Sequence, residues 1–198
     1  MSRARDRADS PFLGTKINSF TVSDDATVDI SSTYITDDFD TYDVVFSDIV
    51  PATDDSYFGC RFGVGGTIQS AGTDYGYLYY ASGNNATNSN VWSNWVDNLS
   101  TIIVVANNGT NMCLGTGTGE FYNGHVRFHN LRSTTQYKSL SVLEAQWLSH
   151  NGHFCETRAT ITYGWLQTDR TNKVDTLQFS MGSGNVASGT LTLYGLKP

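Results

Sequence analysis

His150, His153 and Cys155 bracket an Asn151-Gly152 dipeptide, and here the chain comes nearest to a metal-binding set. Two imidazoles and a thiolate suit zinc, and an Asn-Gly turn folds a hairpin tightly enough to bring them together. A fourth ligand is missing, because no second Cys/His group with motif spacing occurs. A solvated turn beside a buried cysteine is the simpler reading. His125 and His129 are four apart, which on a strand puts them on one face about 13 Å apart, too far to share a metal. Asp24 and Asp25, the group Asp37, Asp38, Asp40 and Asp43, and the pair Asp54 and Asp55 offer oxygen ligands to calcium. The Asp-x-Asp-x-Asp-Gly loop pattern is absent, however, and Asp also favours turns by bonding nearby backbone. An acidic solvated surface accounts for them, so no metal or cofactor is expected.

Catalytic arrangements are equally thin. A glycosidase needs two carboxylates about 5–9 Å apart. Glu120, Glu144 and Glu156 each stand alone in a separate predicted strand. No Gly-x-Ser-x-Gly elbow occurs, and Gly182-Ser183-Gly184 reads as a turn between strands rather than a phosphate cradle. The sequence therefore predicts no catalytic residue and no enzyme activity.

Aromatic rings are the remaining signal. Tyr75, Tyr77, Tyr79 and Tyr80, then Trp92 and Trp95, flank a polar stretch over 83–89 that reads as a long exposed loop. Exposed Tyr and Trp faces hold sugars, which makes Tyr77, Tyr79, Trp92 and Trp95 candidates for a glycan or interface surface. Core packing is the competing explanation.

Strand signals recur at short intervals to position these residues. They fall at 26–32, 42–50, 56–67, 75–82, 101–106, 119–131, 138–149, 156–165, 174–181 and 188–197, separated by Asn, Gly, Ser and Asp. In the second, Tyr42, Val44, Phe46 and Asp48 share one face and Val45, Ser47 and Ile49 the other. Residues 91–99 are ambiguous, since Val91, Trp92, Trp95, Val96 and Leu99 keep a helical spacing. Gly63, Gly65 and Gly66 predict a bulge or turn. In the tail, Leu191, Leu193 and Gly195 fall on one face, with Thr190, Thr192 and Tyr194 opposite. About ten strands without a long helix predict an all-β fold: an antiparallel β-sandwich, jelly-roll-like. Residues 1–19, broken by Pro11 and Gly14, read as an extended N-terminal arm, leaving 20–198 as the sandwich domain.

Composition agrees. The 198 residues suit one domain with an arm, and 11 Tyr, 10 Phe and only three Glu fit a β protein. Cys60, Cys113 and Cys155 are odd in number and widely spaced, as buried thiols would be. No apolar run approaches the roughly 18 residues of a membrane span, and no signal peptide is visible. A net charge of −7 argues against nucleic acid as a general partner. The charge is unevenly placed: Arg3, Arg5, Arg7 and Lys16 precede ten Asp, with no Lys or Arg, between Ile17 and Cys60.

The opening Ser2-Arg3-Ala4-Arg5-Asp6 and the ending Ser188-Gly-Thr-Leu-Thr-Leu-Tyr-Gly-Leu196 resemble tailed-phage virion structural proteins of marine and freshwater type. A looser middle pattern, Phe39, Tyr42, Phe46, Asp48-Ile49 and Pro51, followed by Arg61-Phe62 and Gly65-Gly66, resembles them too. The resemblance implies a non-enzymatic virion protein, made in the bacterial host cytoplasm. It implies a capsid decoration or cement role on the head, or a place on a vertex, head fibre or tail fibre. Its partners would be the major capsid protein or other virion proteins, with homotrimers common in the group. Arg3, Arg5, Asp6 and Arg7 would then form the docking arm, bonded along a groove or edge strand. A carbohydrate-binding host-recognition module on a fibre or spike is the second expectation, with a host-surface glycan as ligand. A sugar hydrolase is a weaker third.

Overall fold

The computed structural model describes residues 14–84, 89–106, 114–147 and 161–197. Among them the chain forms strands and turns and no helix: β1 (Thr15–Asp25), β2 (Val28–Ile30), β3 (Thr41–Pro51), β4 (Phe58–Val64), β5 (Thr67–Ile68), β6 (Tyr75–Asn84) and β7 (Ser89–Ser100). These are followed by β8 (Ile103–Ala106), β9 (Tyr122–His129), β10 (Ser139–Trp147), β11 (Ile161–Leu166), β12 (Val174–Met181) and β13 (Val186–Leu196). The protein is all-β, with two antiparallel sheets. The larger runs β1-β13-β3-β9-β10-β11-β6-β7; the smaller runs β2-β12-β4-β5, with β8 also on β4.

Period-two patterning explains how the sheets meet. In β9, Tyr122, Gly124, Val126 and Phe128 are buried while Asn123, His125, Arg127 and His129 are partly exposed. In β13, Leu191 and Leu193 are fully buried, as the tail pattern predicts. Rings from the two sheets interlock across the core. Phe46 of β3 lies 5.3 Å from Phe58 of β4 and 5.1 Å from Phe179 of β12, both edge to face. Phe128 of β9 and Phe62 of β4 pair at 6.0 Å. Such pairs contribute about 0.5–1.5 kcal/mol each beyond their buried area. The architecture is a β-sandwich held by aromatic packing.

Four expectations need correction. Residues 15–19 belong to β1, paired with β13 from Thr15↔Gly195 onward, so an arm can extend only to about Gly14. Residues 91–99 lie in strand β7 rather than a helix or loop, because pairing from Tyr77↔Val96 to Asn84↔Ser89 satisfies their backbone. That same pairing brings Gly83, Asn84 and Ser89, expected in the loop over 83–89, into strands; residues 85–88 lie outside the described residues. In β3 the simple alternation fails between Phe46 and Ile49, where the register shifts. Asp48 there has φ of 53° and is exposed, and Ile49 swings inward to full burial. Asn123 Oδ1 accepts the Asp48 N–H at 2.7 Å and holds the bulge. The Gly65-Gly66 signal corresponds to a two-residue hairpin between β4 and β5, with φ of 59° and 78°. Both angles lie in the left-handed region that glycine tolerates.

Candidate functional site

The outer face of the larger sheet carries the one buried charge constellation among the described residues. Asp43 on β3 points away from the core, yet its side chain is fully buried. Arg127, directly opposite on β9, donates from Nε to Oδ1 and from Nη2 to Oδ2, both at 2.8 Å. His125 Nε2 lies 3.1 Å from Oδ2, close enough to attract but off the angle of a hydrogen bond. Burial pushes the Asp43 carboxyl up, but the bonds from Arg127 and the contact with His125 outweigh it and leave it below the usual range. His129 takes a different partner, its Nε2 standing 3.1 Å from Ser141 Oγ on β10. Burial and the nearby Arg127 lower its pKa, which favours the neutral ring. The two histidines share a face, as predicted, and serve separate contacts.

In register, this row runs straight across eight strands: Lys16, Tyr194, Asp43, Arg127, Ser141, Tyr163, Leu78 and Trp95. Leu78 is 41% exposed within it. Two residues along β6, on the same face, Gly76 lies opposite Trp165, and a Cβ there would come within 2.8 Å of the indole Nε1. The missing side chain gives that ring its seat.

The candidate aromatics divide. Tyr77 is 3% exposed and belongs to the core, so it cannot present a ring to a sugar. Its phase in β6 matches that of fully buried Tyr75. Tyr79 lies opposite Asn94, Trp92 opposite Ala81 and Trp95 opposite Leu78; their side chains are outside the described set. Tyrosine has another task here that sequence reading missed. Tyr42 OH donates to Thr36 O at 2.6 Å and accepts from Thr36 N at 2.8 Å. Tyr75 OH donates to Gln69 O at 2.8 Å and accepts from Phe62 N at 2.7 Å. Each places its ring in the core and ties a loop with its hydroxyl. Burial raises the pKa of both, so both stay neutral.

The aspartates prove to be turn makers. Asp24, Asp48, Asp55 and Asp169 all have positive φ. Asp25 Oδ2 accepts from Ser23 N at 3.0 Å, Asp74 Oδ2 from Ala71 N at 2.6 Å and Asp175 Oδ2 from Gly66 N at 3.0 Å. Glu120 and Asp54 converge over Gly115, but Glu120 Oε2 accepts from Gly117 N at 2.6 Å and Asp54 Oδ1 from Thr116 N at 3.2 Å. Glu144 lies opposite His125 on β10, away from that loop. No group of three His, Cys, Asp or Glu capable of holding a metal occurs among the described residues. Arg3, Arg5, Asp6, Arg7, His150, His153, Cys155 and Glu156 lie outside those residues. Cys60 is a buried free thiol.

At one end of the sandwich three loops meet. Asp37 accepts from Lys173 Nζ at 2.9 Å and from Arg132 Nε at 2.8 Å, and these bonds lower its pKa. Arg170 stacks 4.8 Å from the centre of the exposed Tyr137 ring. Beneath it, Lys138 is fully buried and its ammonium donates to the carbonyls of Ser133 and Gln136. The cation acts as a peg that shapes the 131–138 loop.

No protein-family model matches the chain, and a comparison with curated proteins finds no match.

Proposed function

We propose that this protein is a non-enzymatic structural component of a tailed-phage particle, decorating or cementing the outer surface of the head. The observation that carries the reading is the junction at Gly14. A segment bearing Arg3, Arg5 and Arg7 joins directly to the edge strand of a densely packed sandwich. Such a segment can lie in a groove of an assembled shell, with arginines paired and backbone bonded along a strand, while the sandwich projects outward. The major capsid protein is the partner this arrangement suits.

The resemblance at both chain ends supports the same reading, and the ending has a physical basis. Gly189 has φ of 137°, and a Cβ at Gly195 would come within 2.6 Å of the Phe39 ring. Both glycines of the ending are therefore required by packing. Strand order supports a jelly roll: β1-β13-β3-β9 faces β2-β12-β4-β8, with β5 to β7 and β10 to β11 as insertions.

Quantitative mass spectrometry of purified particles tests the proposal. Copy number comparable to the major capsid protein is expected, as is loss of attachment, with retained folding, when residues 1–13 are removed. Absence from the particle, or unchanged attachment of the truncated chain, would overturn it.

Host-glycan recognition is the second reading. It is favoured by the outer-face row that places exposed Leu78 in register with Trp95 and Tyr163. A handful of copies per particle, with glycan-array binding lost on Trp95→Ala or Leu78→Ala, would select it instead.

A further inference from the structure

Trp165 stands on the outer face of β11, since Gly164 and Leu166 on either side are buried toward the core. Its indole is laid on Gly76 of β6. A Cβ there would stand 2.4 Å from Cζ2, 2.5 Å from Cε2 and 2.8 Å from Nε1, three atoms at nearly one distance, as for a ring resting face down. The ring covers backbone with one face and turns the other outward, and the residue is partly exposed. Two of the large apolar side chains exposed among the described residues share this face, Leu78 at 41% and Leu143 at 46%. Leu78 is two residues along β6 from Gly76, and Leu143 is the outward residue at the β10 bulge.

Across β10 and β9 the same face turns polar. Ser139 lies directly opposite Trp165, and His129 directly opposite Ser139, one and two strand spacings from the indole, about 5 and 10 Å. Ser139, Ser141 and His129 are all partly exposed. The charges beside them are already matched. Arg127, opposite Ser141, holds both oxygens of Asp43, and burial keeps His129 neutral.

We propose that Trp165 is the stacking platform of a sugar site, that its ligand is a neutral pyranose, and that Ser139 and Ser141 bond the rim of the sugar ring. The inference rests on the host-glycan reading and gives it a place and a ligand class. A pyranose with equatorial hydroxyls carries C–H groups on its faces and hydroxyls around its edge. The electron-rich face of the indole attracts those C–H groups, and Leu78 extends the apolar floor beside it. A serine hydroxyl both donates and accepts, so it meets a sugar hydroxyl in either role. An acidic sugar needs a free cation to offset the desolvation of its carboxylate, and Arg127 is engaged. A neutral sugar needs none.

The full chain, tested on an array of neutral gluco- and galacto-oligosaccharides and their sialylated or uronate counterparts, should bind neutral members. Calorimetric titration with the best of these should show Trp165→Ala weakening binding roughly tenfold or more, with Trp165→Phe retaining most of it. Ser139→Arg should block the platform while leaving the indole in place, and it carries the test if near-UV circular dichroism shows Trp165→Ala to be unfolded. Neutral-sugar binding lost on Trp95→Ala but indifferent to both Trp165→Ala and Ser139→Arg would overturn the site and leave the host-glycan reading standing. Binding confined to acidic glycans would overturn the ligand class. Absence of binding to any glycan would overturn the site and the reading together, and loss of particle attachment by Trp165→Ala would then make this face a protein contact.

Discussion

Replacing Arg127 by Met should destabilise the fold by roughly 3 kcal/mol at pH 7, and the deficit should shrink in acid. The magnitude follows from the geometry. Arg127 supplies two hydrogen bonds of 2.8 Å to a carboxylate with no solvent exposure. Bonds to a charged group contribute about 1.5–3 kcal/mol each, and removing one partner of a buried pair typically costs about 3–5 kcal/mol. The guanidinium is 26% exposed and His125 stays 3.1 Å from Asp43, so the lower end of that range applies.

The pH dependence has a definite sign. In the wild type, burial raises the Asp43 pKa, but Arg127 and then His125 outweigh it and bring it below 3.8. A carboxyl with a depressed folded-state pKa contributes stability above its unfolded value, and loses it as pH falls through the folded value. Without Arg127, burial dominates and the folded-state pKa rises above 3.8. The variant then gains from protonation near pH 4, where the wild type does not. Urea unfolding of both proteins at pH 7 and pH 4 measures the difference. A deficit under about 1 kcal/mol at pH 7, or the same deficit at both pH values, would refute the reasoning. Replacing the pair together, by Asp43→Leu with Arg127→Met, should cost less than Arg127→Met alone, because no orphaned carboxylate remains.

Two glycines give further expectations. Gly195→Ala should cost roughly 1–3 kcal/mol by pushing Phe39 off the strand, where it packs 5.9 Å from Tyr42 and from Lys197 Nζ. In a Phe39→Ala background the same substitution should be nearly neutral, which thermal unfolding of the four proteins tests. Gly76→Ala should unseat Trp165 and change its fluorescence emission, with a stability loss of roughly 1–3 kcal/mol. Unchanged emission would mean that the indole does not rest on that glycine.

Where structure was legible in the sequence, a local period matched a local environment. The bounds of Val174–Met181 could be read from the Asn/Gly punctuation on either side, and the tail could be read residue by residue from Thr190, because buried and half-exposed positions alternate there without interruption. β1 was hidden by its own irregularity. The shift between Lys16 and Asn18 breaks the period of two just where Pro11 and Gly14 suggest an arm, although Phe20 and Val22 keep the alternation beyond it. In β7, two tryptophans three apart imitate a helical face, and only the pairing with β6 decides otherwise. Asp48 and Ile49 show the same limit on a smaller scale, since a bulge reverses the face of every following residue.

The charge constellation was illegible for a different reason. Asp43 and Arg127 are 84 residues apart and each looks like an ordinary strand-face charge. Nothing local distinguishes Asp43 from the nine other aspartates between Ile17 and Cys60, most of which lie outside strand interiors. The signal available was its phase: Asp43 falls between Tyr42 and Val44, at a position whose neighbours on both sides are committed to the core. A charge fixed there cannot swing to solvent past flanking strands, so it needs a cation on one of them. β9 offers Arg127 at the matching phase, between Val126 and Phe128. Reading strand phase against charge, rather than charge alone, would have paired them.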